Sequence, residues 1–305
     1  MKQLLILSGK GGTGKTTVAA AFIRLSEARA YADCDVDAPN LHLTLHQTAA
    51  PECEPFYGMP KARIRADACT ACGLCAAHCR FEAVSRSGAA YTVDPFACEG
   101  CGVCEAVCPA GAVSMHSSEA GELMRRADET AVFSTARLKM GSGTTGKLVT
   151  QVKRRLHEAA PPEAPLAILD GSPGIGCPVI ASLSGVSMAL IVAEPSVSGQ
   201  SDMGRIIQTA RQFQTPLAVC VNKADTNPGM TERIRCFCTE SGIPFAGTIP
   251  FDPKAVDLVN RNLTIVDAPC PSGRAVRAVF AETMRLMEHT QEQQFKNKPN
   301  GGTKQ

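Results

Sequence analysis

Residues 3–17 read QLLILSGKGGTGKTT. The apolar run Leu4 to Leu7 is too short for a signal peptide's apolar region and stops at glycines, so it is predicted to be a buried first strand. Gly9 to Thr16 then satisfies the pattern G-x-x-x-x-G-K-S/T, and the Ala-rich stretch Val18 to Ser26 has a helical pattern. Strand, glycine loop and helix in that order make a phosphate cradle. The glycines let backbone N–H groups curl around an anion, and the helix N-terminus adds partial positive charge. Gly9, Lys10, Gly11, Gly12, Thr13, Gly14, Lys15, Thr16 and Thr17 are therefore expected to line a nucleotide, with Lys15 on the β/γ-phosphates and Thr16 on Mg2+.

Further along the chain the same rhythm recurs. Ala30-Tyr31-Ala32 is a short strand leading into Asp33-Cys34-Asp35-Val36-Asp37, and Leu166 to Leu169 is a buried-strand run ending in Asp170-Gly171-Ser172-Pro173-Gly174. Ala189 to Val192 and Leu217 to Val221 complete the set, the second followed by Asn222-Lys223-Ala224-Asp225. Apolar strands alternating with helices at this spacing imply an α/β fold, a mainly parallel sheet with helices on both faces. Acidic residues at strand carboxyl ends beside a phosphate loop are what phosphoryl transfer needs.

The chain has 15 cysteines, eight of them between Cys69 and Cys108. They run Cys69-x-x-Cys72-x-x-Cys75-x-x-x-Cys79 and, 29 positions later, Cys98-x-x-Cys101-x-x-Cys104-x-x-x-Cys108-Pro109. The register outlasts the cysteines, because Ala83-Val84-Ser85 returns as Ala112-Val113-Ser114. With no export signal in view and 305 residues, clustered thiols are expected to bind metal rather than pair as disulfides. Zinc usually takes two C-x-x-C pairs, not two interleaved runs of four. The duplicated unit resembles the bacterial-type two-cluster ferredoxins, which are α+β. That resemblance implies two 4Fe–4S clusters, each taking three cysteines from one run and the last from the other. One would be held by Cys69, Cys72, Cys75 and Cys108, the other by Cys98, Cys101, Cys104 and Cys79. Arg80 stands where the second run has Pro109, placing a charge near one cluster without removing a ligand.

The first lysine of the phosphate loop narrows the reading. Gly-Lys-Gly-Gly-Thr-Gly-Lys-Thr, residues 9–16, resembles the deviant loop of the MinD/ParA and nitrogenase iron protein superfamily. The resemblance implies ATP and Mg2+ as cofactors, ATP hydrolysis, and an ATP-sandwich homodimer in which Lys10 reaches the nucleotide of the opposing subunit. It puts Asp35 at the position that orients the attacking water, Thr16, Asp33 and Asp170 around Mg2+, and the Gly174 amide on the γ-phosphate. Lys10, Lys15, Asp35 and Asp170 are thus the expected catalytic set. Asn222 and the stretch Ile249-Pro250-Phe251-Asp252, through Pro250 and Asp252, are expected at the base. Cys177 lies seven residues after Asp170, the spacing at which the nitrogenase iron protein has a cysteine for a cluster shared between subunits. Its other reading is a small buried thiol beside a helix start.

The expected organisation is a discontinuous ATPase domain, residues 1–60 and 120–290, interrupted by a ferredoxin domain at 61–119. Residues 291–305 are polar and expected to be disordered. The whole resembles MinD-superfamily ATPases, relatives of the Mrp-type cluster carriers, with a ferredoxin inserted between that family's two switch segments, here Asp33 to Leu41 and Asp170 to Gly174. Cys236-x-Cys238, on a helix expected over 231–241, departs from the C-x-x-C of those carriers, and Cys34 and Cys220 are read as packing. Lys+Arg 31 against Asp+Glu 29 leaves a net charge of +2, which favours neither nucleic acid nor a membrane surface. The implied function is a cytoplasmic, nucleotide-gated iron–sulfur protein acting on a redox or metal-cluster partner protein. The alternatives are a MinD/ParA-like spatial organiser with redox-sensing clusters and an amidation ATPase like cobyrinic acid a,c-diamide synthase.

Overall fold

The computed structural model describes residues 1–45 and 50–296. The first half of the chain runs β1 (Lys2–Leu7), α1 (Lys15–Ser26), β2 (Ala30–Asp33) and β3 (Glu52–Tyr57). A cysteine-rich module follows: β4 (Lys61–Ile64), α2 (Leu74–Ala77), β5 (Val84–Ser87), β6 (Ala90–Val93), α3 (Val103–Ala106) and β7 (Val113–His116). The chain then continues through β8 (Glu119–Ala127), β9 (Val132–Leu138), α4 (Thr145–Ala159), β10 (Leu166–Asp170), α5 (Cys177–Leu183) and β11 (Met188–Ala193). It closes with α6 (Val197–Gln212), β12 (Leu217–Asn222), α7 (Pro228–Glu240), β13 (Phe245–Ile249), α8 (Pro253–Asn260) and α9 (Pro271–Lys296).

Nine strands form one sheet in the order β13-β12-β11-β1-β10-β2-β9-β8-β3. From β13 to β9 every pairing is parallel. Strands β8 and β3 add an antiparallel ribbon at one edge. Away from their ends the central strands are apolar on both sides, because both faces of the sheet are covered. Along β1, Leu5 and Leu7 join the core beneath α4 to α7, while Leu4 and Ile6 join the core beneath α1 and α9. The two-residue period of a strand thus feeds two cores from one sequence.

Strands β3, β8, β9 and β13 are not anticipated by the sequence reading, for a physical reason. Strand β3 is an edge, largely exposed, and its sequence ECEPFY carries two carboxylates and Pro55 where a central strand would be apolar. Helix α1 begins at Lys15, inside the phosphate loop, and α7 begins at Pro228, earlier than the expected 231. The expected disordered tail is also shortened: α9 remains helical through Lys296, and the rest of that stretch lies outside the described residues. Among the described residues no helix is long and apolar enough to cross a membrane.

The module hangs from the β3–β8 edge. Its strands pair β4 with β7 and β5 with β6, both antiparallel. Its own core is Ala62, Cys75, Ala83, Val84, Cys98, Cys104 and Val113.

Candidate nucleotide site and cysteine module

The phosphate loop leaves β1 at the centre of the sheet. Strand β10 lies on one side of β1, and the chain then crosses to β11 on the other, so the loop faces the crevice where connections diverge. Gly14 ends the loop with φ 88°, and an added Cβ would lie 2.2 Å from Asn222 Nδ2. Only glycine fits there, on conformation and on space. Lys15, 6% exposed, forms an ion pair with the fully buried Asp170. Thr16 Oγ1 donates to the other oxygen of that carboxylate at 2.7 Å. The residues expected to handle phosphate and Mg2+ are therefore already joined through Asp170.

Asp33 sits opposite Asp170 in the parallel register of β2 and β10. Burial, and then the neighbouring Asp170 charge, push its carboxyl up to about 7. Its Oδ1 accepts the Asp35 amide at 3.0 Å, and its Oδ2 accepts those of Asn40 and Leu41 at 2.8 and 2.9 Å. Asp33 thus holds the loop after β2 in shape. Asp35, half-buried in that loop, is pushed up to about 6, chiefly by burial. The two switch segments are stitched together, the Cys34 amide donating to the Asp170 carbonyl at 2.7 Å and Ser172 Oγ to the Cys34 carbonyl at 2.6 Å. The Gly174 amide donates to the Ser8 carbonyl at 3.0 Å, at the root of the phosphate loop.

Beside the loop a cavity of about 300 Å³ is lined by Gly12, Gly14, Thr17 and Val18 on one side and by Asn222, Pro250, Phe251 and Asp252 on the other. Its position and mixed walls suit a nucleoside. Asn222 Nδ2 is engaged with the Thr13 carbonyl at 2.7 Å. The Asp252 carboxylate caps α8 by accepting the Lys254 amide and receives both the amide and hydroxyl of Ser272. Asp252 therefore docks α9 as well as lining the cavity, two roles the sequence does not separate.

Glu194, at the end of β11, carries a role the sequence reading missed. It pairs with Lys10 at 2.8 Å and with Lys223 at 3.5 Å, and its carboxyl is held below the usual range, first by the Lys10 hydrogen bond. Lys10 therefore rests on its own chain. Lys223 also donates to the Gly12 carbonyl at 2.9 Å. The available signal was an acidic residue at the carboxyl end of the strand beside β1.

In the module the two cysteine runs adopt the same local geometry. Gly73 and Gly102 have φ 79° and 78° and precede the one-turn helices α2 and α3. The Ala83 amide donates to Cys79 Sγ and the Ala112 amide to Cys108 Sγ, each at 3.3 Å. Two small cavities result. One is lined by Cys69, Cys72, Cys75 and Cys108, the other by Cys79, Cys98, Cys101 and Cys104. Among the described residues no three His, Cys, Asp or Glu groups converge as ligands of a single metal ion. The thiols surround volumes instead. Four soft sulfur donors around each, with backbone amides aimed at the sulfurs, suit the corners of an iron–sulfur cube.

The cysteines outside the module divide differently. Cys34, Cys220, Cys238 and Cys270 are buried, and Cys53, Cys177 and Cys236 are exposed. Cys238 cannot share a surface ligand pair with Cys236, because its thiol faces the core under α7. Cys177 opens α5, as the helix-start reading expects, but it is exposed rather than buried.

A glycine loop cradled at the centre of a parallel sheet, with lysine, threonine and carboxylate converging behind it, defines a P-loop nucleotide-binding protein. Residues 4–265 match the CobQ/CobB/MinD/ParA nucleotide-binding domain family, and the chain belongs to it. It is 30% identical over 283 residues to the uncharacterized Methanocaldococcus jannaschii protein MJ0578, covering 91% of this chain and 95% of that one. Its neighbour in name, MJ0579 of the same organism, is 26% identical, covering 73% and 81%. Among solved structures, the Pyrococcus furiosus cell division ATPase MinD aligns with a TM-score of 0.55 at 14% identity, covering 93% of this chain and 99% of that one. MinD of Pyrococcus horikoshii, solved with Mg-ADP, has the same score at 15% identity and covers 93% and 96%. At such identities the likeness is one of fold.

Proposed function

We propose that this chain is an ATP-binding and ATP-hydrolysing switch whose module, residues 61–119, carries two 4Fe–4S clusters. Nucleotide-dependent dimerisation gates electron transfer, or cluster delivery, to a partner metalloprotein. The observation that carries the reading is the pairing of two sites in one frame. Eight thiols surround two cavities, three from one run and one from the other in each, and the module is spliced between β3 and β8, at the edge of the sheet that carries the nucleotide site.

In this reading Lys15 and the loop amides bind the phosphates, and Thr16 and Asp170 supply hard oxygens to Mg2+. Asp33 positions the loop that presents Asp35, and Asp35 orients the attacking water. The clusters, once bound, supply one-electron redox capacity, and the two rings of cysteines hold them. Lys10 leaves Glu194 for the opposing subunit's nucleotide, so Glu194 and that nucleotide compete for one ammonium group.

Protein purified anaerobically is expected to contain about eight iron atoms per chain, four for each cubane, with matching sulfide. Zinc in place of iron, or iron for one cubane alone, removes the two-cluster reading. For the switch itself, light scattering with ATP and Mg2+ is expected to report a dimer in wild type and a monomer in Lys10→Ala. A Lys10→Ala chain that dimerises and hydrolyses like wild type refutes the role given to Lys10.

A further inference from the structure

The two halves of the module are attached to the rest of the molecule unequally. Around the second ring, Gly100 is so close to the linker that an added Cβ would lie 2.2 Å from the Pro60 carbonyl oxygen. The loop between β9 and α4 also reaches this ring. A Cβ on Gly141 would lie 3.1 Å from the Phe96 ring, and one on Gly143 would lie 3.4 Å from the Glu99 carboxylate. The repeat mates of Phe96 and Glu99, 29 positions earlier, are Asp67 and Thr70. The glycine contact in the first half stays within the module, since a Cβ on Gly73 would lie 3.0 Å from the Tyr91 hydroxyl.

The same loop continues into the nucleotide switch. Thr144, just before α4, has a buried hydroxyl without a hydrogen-bond partner, and Gly58 packs against it. Gly146, in the first turn of α4, touches the start of α5, where an added Cβ would lie 3.1 Å from the Cys177 carbonyl oxygen. Helix α5 follows directly on the Asp170 to Gly174 segment. From that segment to Cys98 the chain of contacts is therefore continuous: α5 start, α4 start, the Lys139–Thr144 loop, then Phe96 and Glu99. Each step joins close neighbours, so a displacement at one end bears on the next group.

We propose that the Lys139–Thr144 loop transmits nucleotide state to the second ring, Cys79, Cys98, Cys101 and Cys104, and not to the first. This rests on the ATP-switch reading above and assigns the responsive ring and the responding residues. Its test is hydrogen exchange by mass spectrometry on the full chain, with and without ATP and Mg2+, in wild type and Phe96→Asp. Phe96 is 72% exposed, so the substitution installs the repeat mate's residue without emptying a core. In wild type, ATP is expected to slow exchange in residues 9–17, 139–146 and 96–104 and to leave 67–75 unchanged. Phe96→Asp is expected to keep the slowing at 9–17 and lose it at 96–104. Equal response of both halves, or an undiminished response in Phe96→Asp, overturns the proposal. Iron analysis on the same samples separates the two claims: absent iron sinks the cluster reading while the exchange pattern still reports the coupling. Absent protection at 9–17 sinks both.

Discussion

The nucleotide-binding domain and the cysteine module hold their sites together by opposite means. In the former, Asp33 and Asp170 stand at the ends of strands whose apolar residues are packed from both sides, and Lys15 opens α1, so the site is shaped by a core that does not include it. In the module the order is reversed. Cys75, Cys98 and Cys104 are three of the seven residues that make up its core. A unit below about 70 residues rarely folds on such a core without a metal, disulfide or similar staple. One site is therefore set upon a core, and the thiols of the other are part of the core itself.

Under the proposed two-cluster reading, the most direct way to break this contrast is to remove the iron. Chelation under oxidising conditions is expected to melt residues 61–119, seen as loss of exchange protection there, while β1, β10 and β11 stay protected and ATP still binds. A module that keeps its protection without iron would put the two regions on the same footing.

Lys15→Ala tests the converse, that the nucleotide site is set within a self-sufficient core. It should abolish nucleotide binding measured by calorimetry. It also leaves Asp170 as an uncompensated buried charge, for which the expected loss is about 3–5 kcal/mol in denaturant unfolding of the surrounding domain. The iron content of the module is expected to be unchanged.

A smaller effect separates binding from chemistry. Asp35→Asn should bind ATP with wild-type affinity and dimerise, yet hydrolyse on the order of 100-fold more slowly, because the water loses its orienting carboxylate. Wild-type turnover in this variant removes Asp35 from the mechanism.

The mildest test uses pH. Asp33 is pushed up to about 7 in the folded, nucleotide-free chain from 3.8. Between those values the folded state binds a proton that the unfolded state does not, so stability is gained as pH falls through 7. Wild type is therefore expected to gain stability relative to Asp33→Asn between pH 8 and pH 6. A pH-independent difference between the two would mean that Asp33 stays ionised throughout.

Much of this was legible in the chain because local chemistry dictated it. The apolar runs Leu166 to Leu169 and Ala189 to Val192 call for strands covered on both faces, and the glycines at 9, 11, 12 and 14 before Lys15 call for a phosphate loop. The repeat of eight cysteines, carried on by Ala83-Val84-Ser85 and its copy, calls for a duplicated ligand cage. These signals are short-range, with residue type and spacing carrying them whole.

What the sequence by itself determined, then, is the parallel α/β frame, the phosphate loop with its two acidic strand ends, and the two runs of four cysteines. Tertiary structure alone decided the rest. Strand β3 is an exposed edge and β8 beside it, half-buried, carries Glu119, Glu122, Arg125 and Arg126, so no apolar pattern announces them. Glu194 meets Lys10 and Lys223 only because β11 lies beside β1 in the sheet, an adjacency between residues 184 positions apart in the first pair. Asp252 became a helix cap and an anchor for Ser272 because α9 folds back over α8's start. Phe96 came to rest on Gly141 through the same kind of closure. Each of these is a contact between distant segments, and its energy depends on where the other segment lands, which residue type and local spacing do not encode.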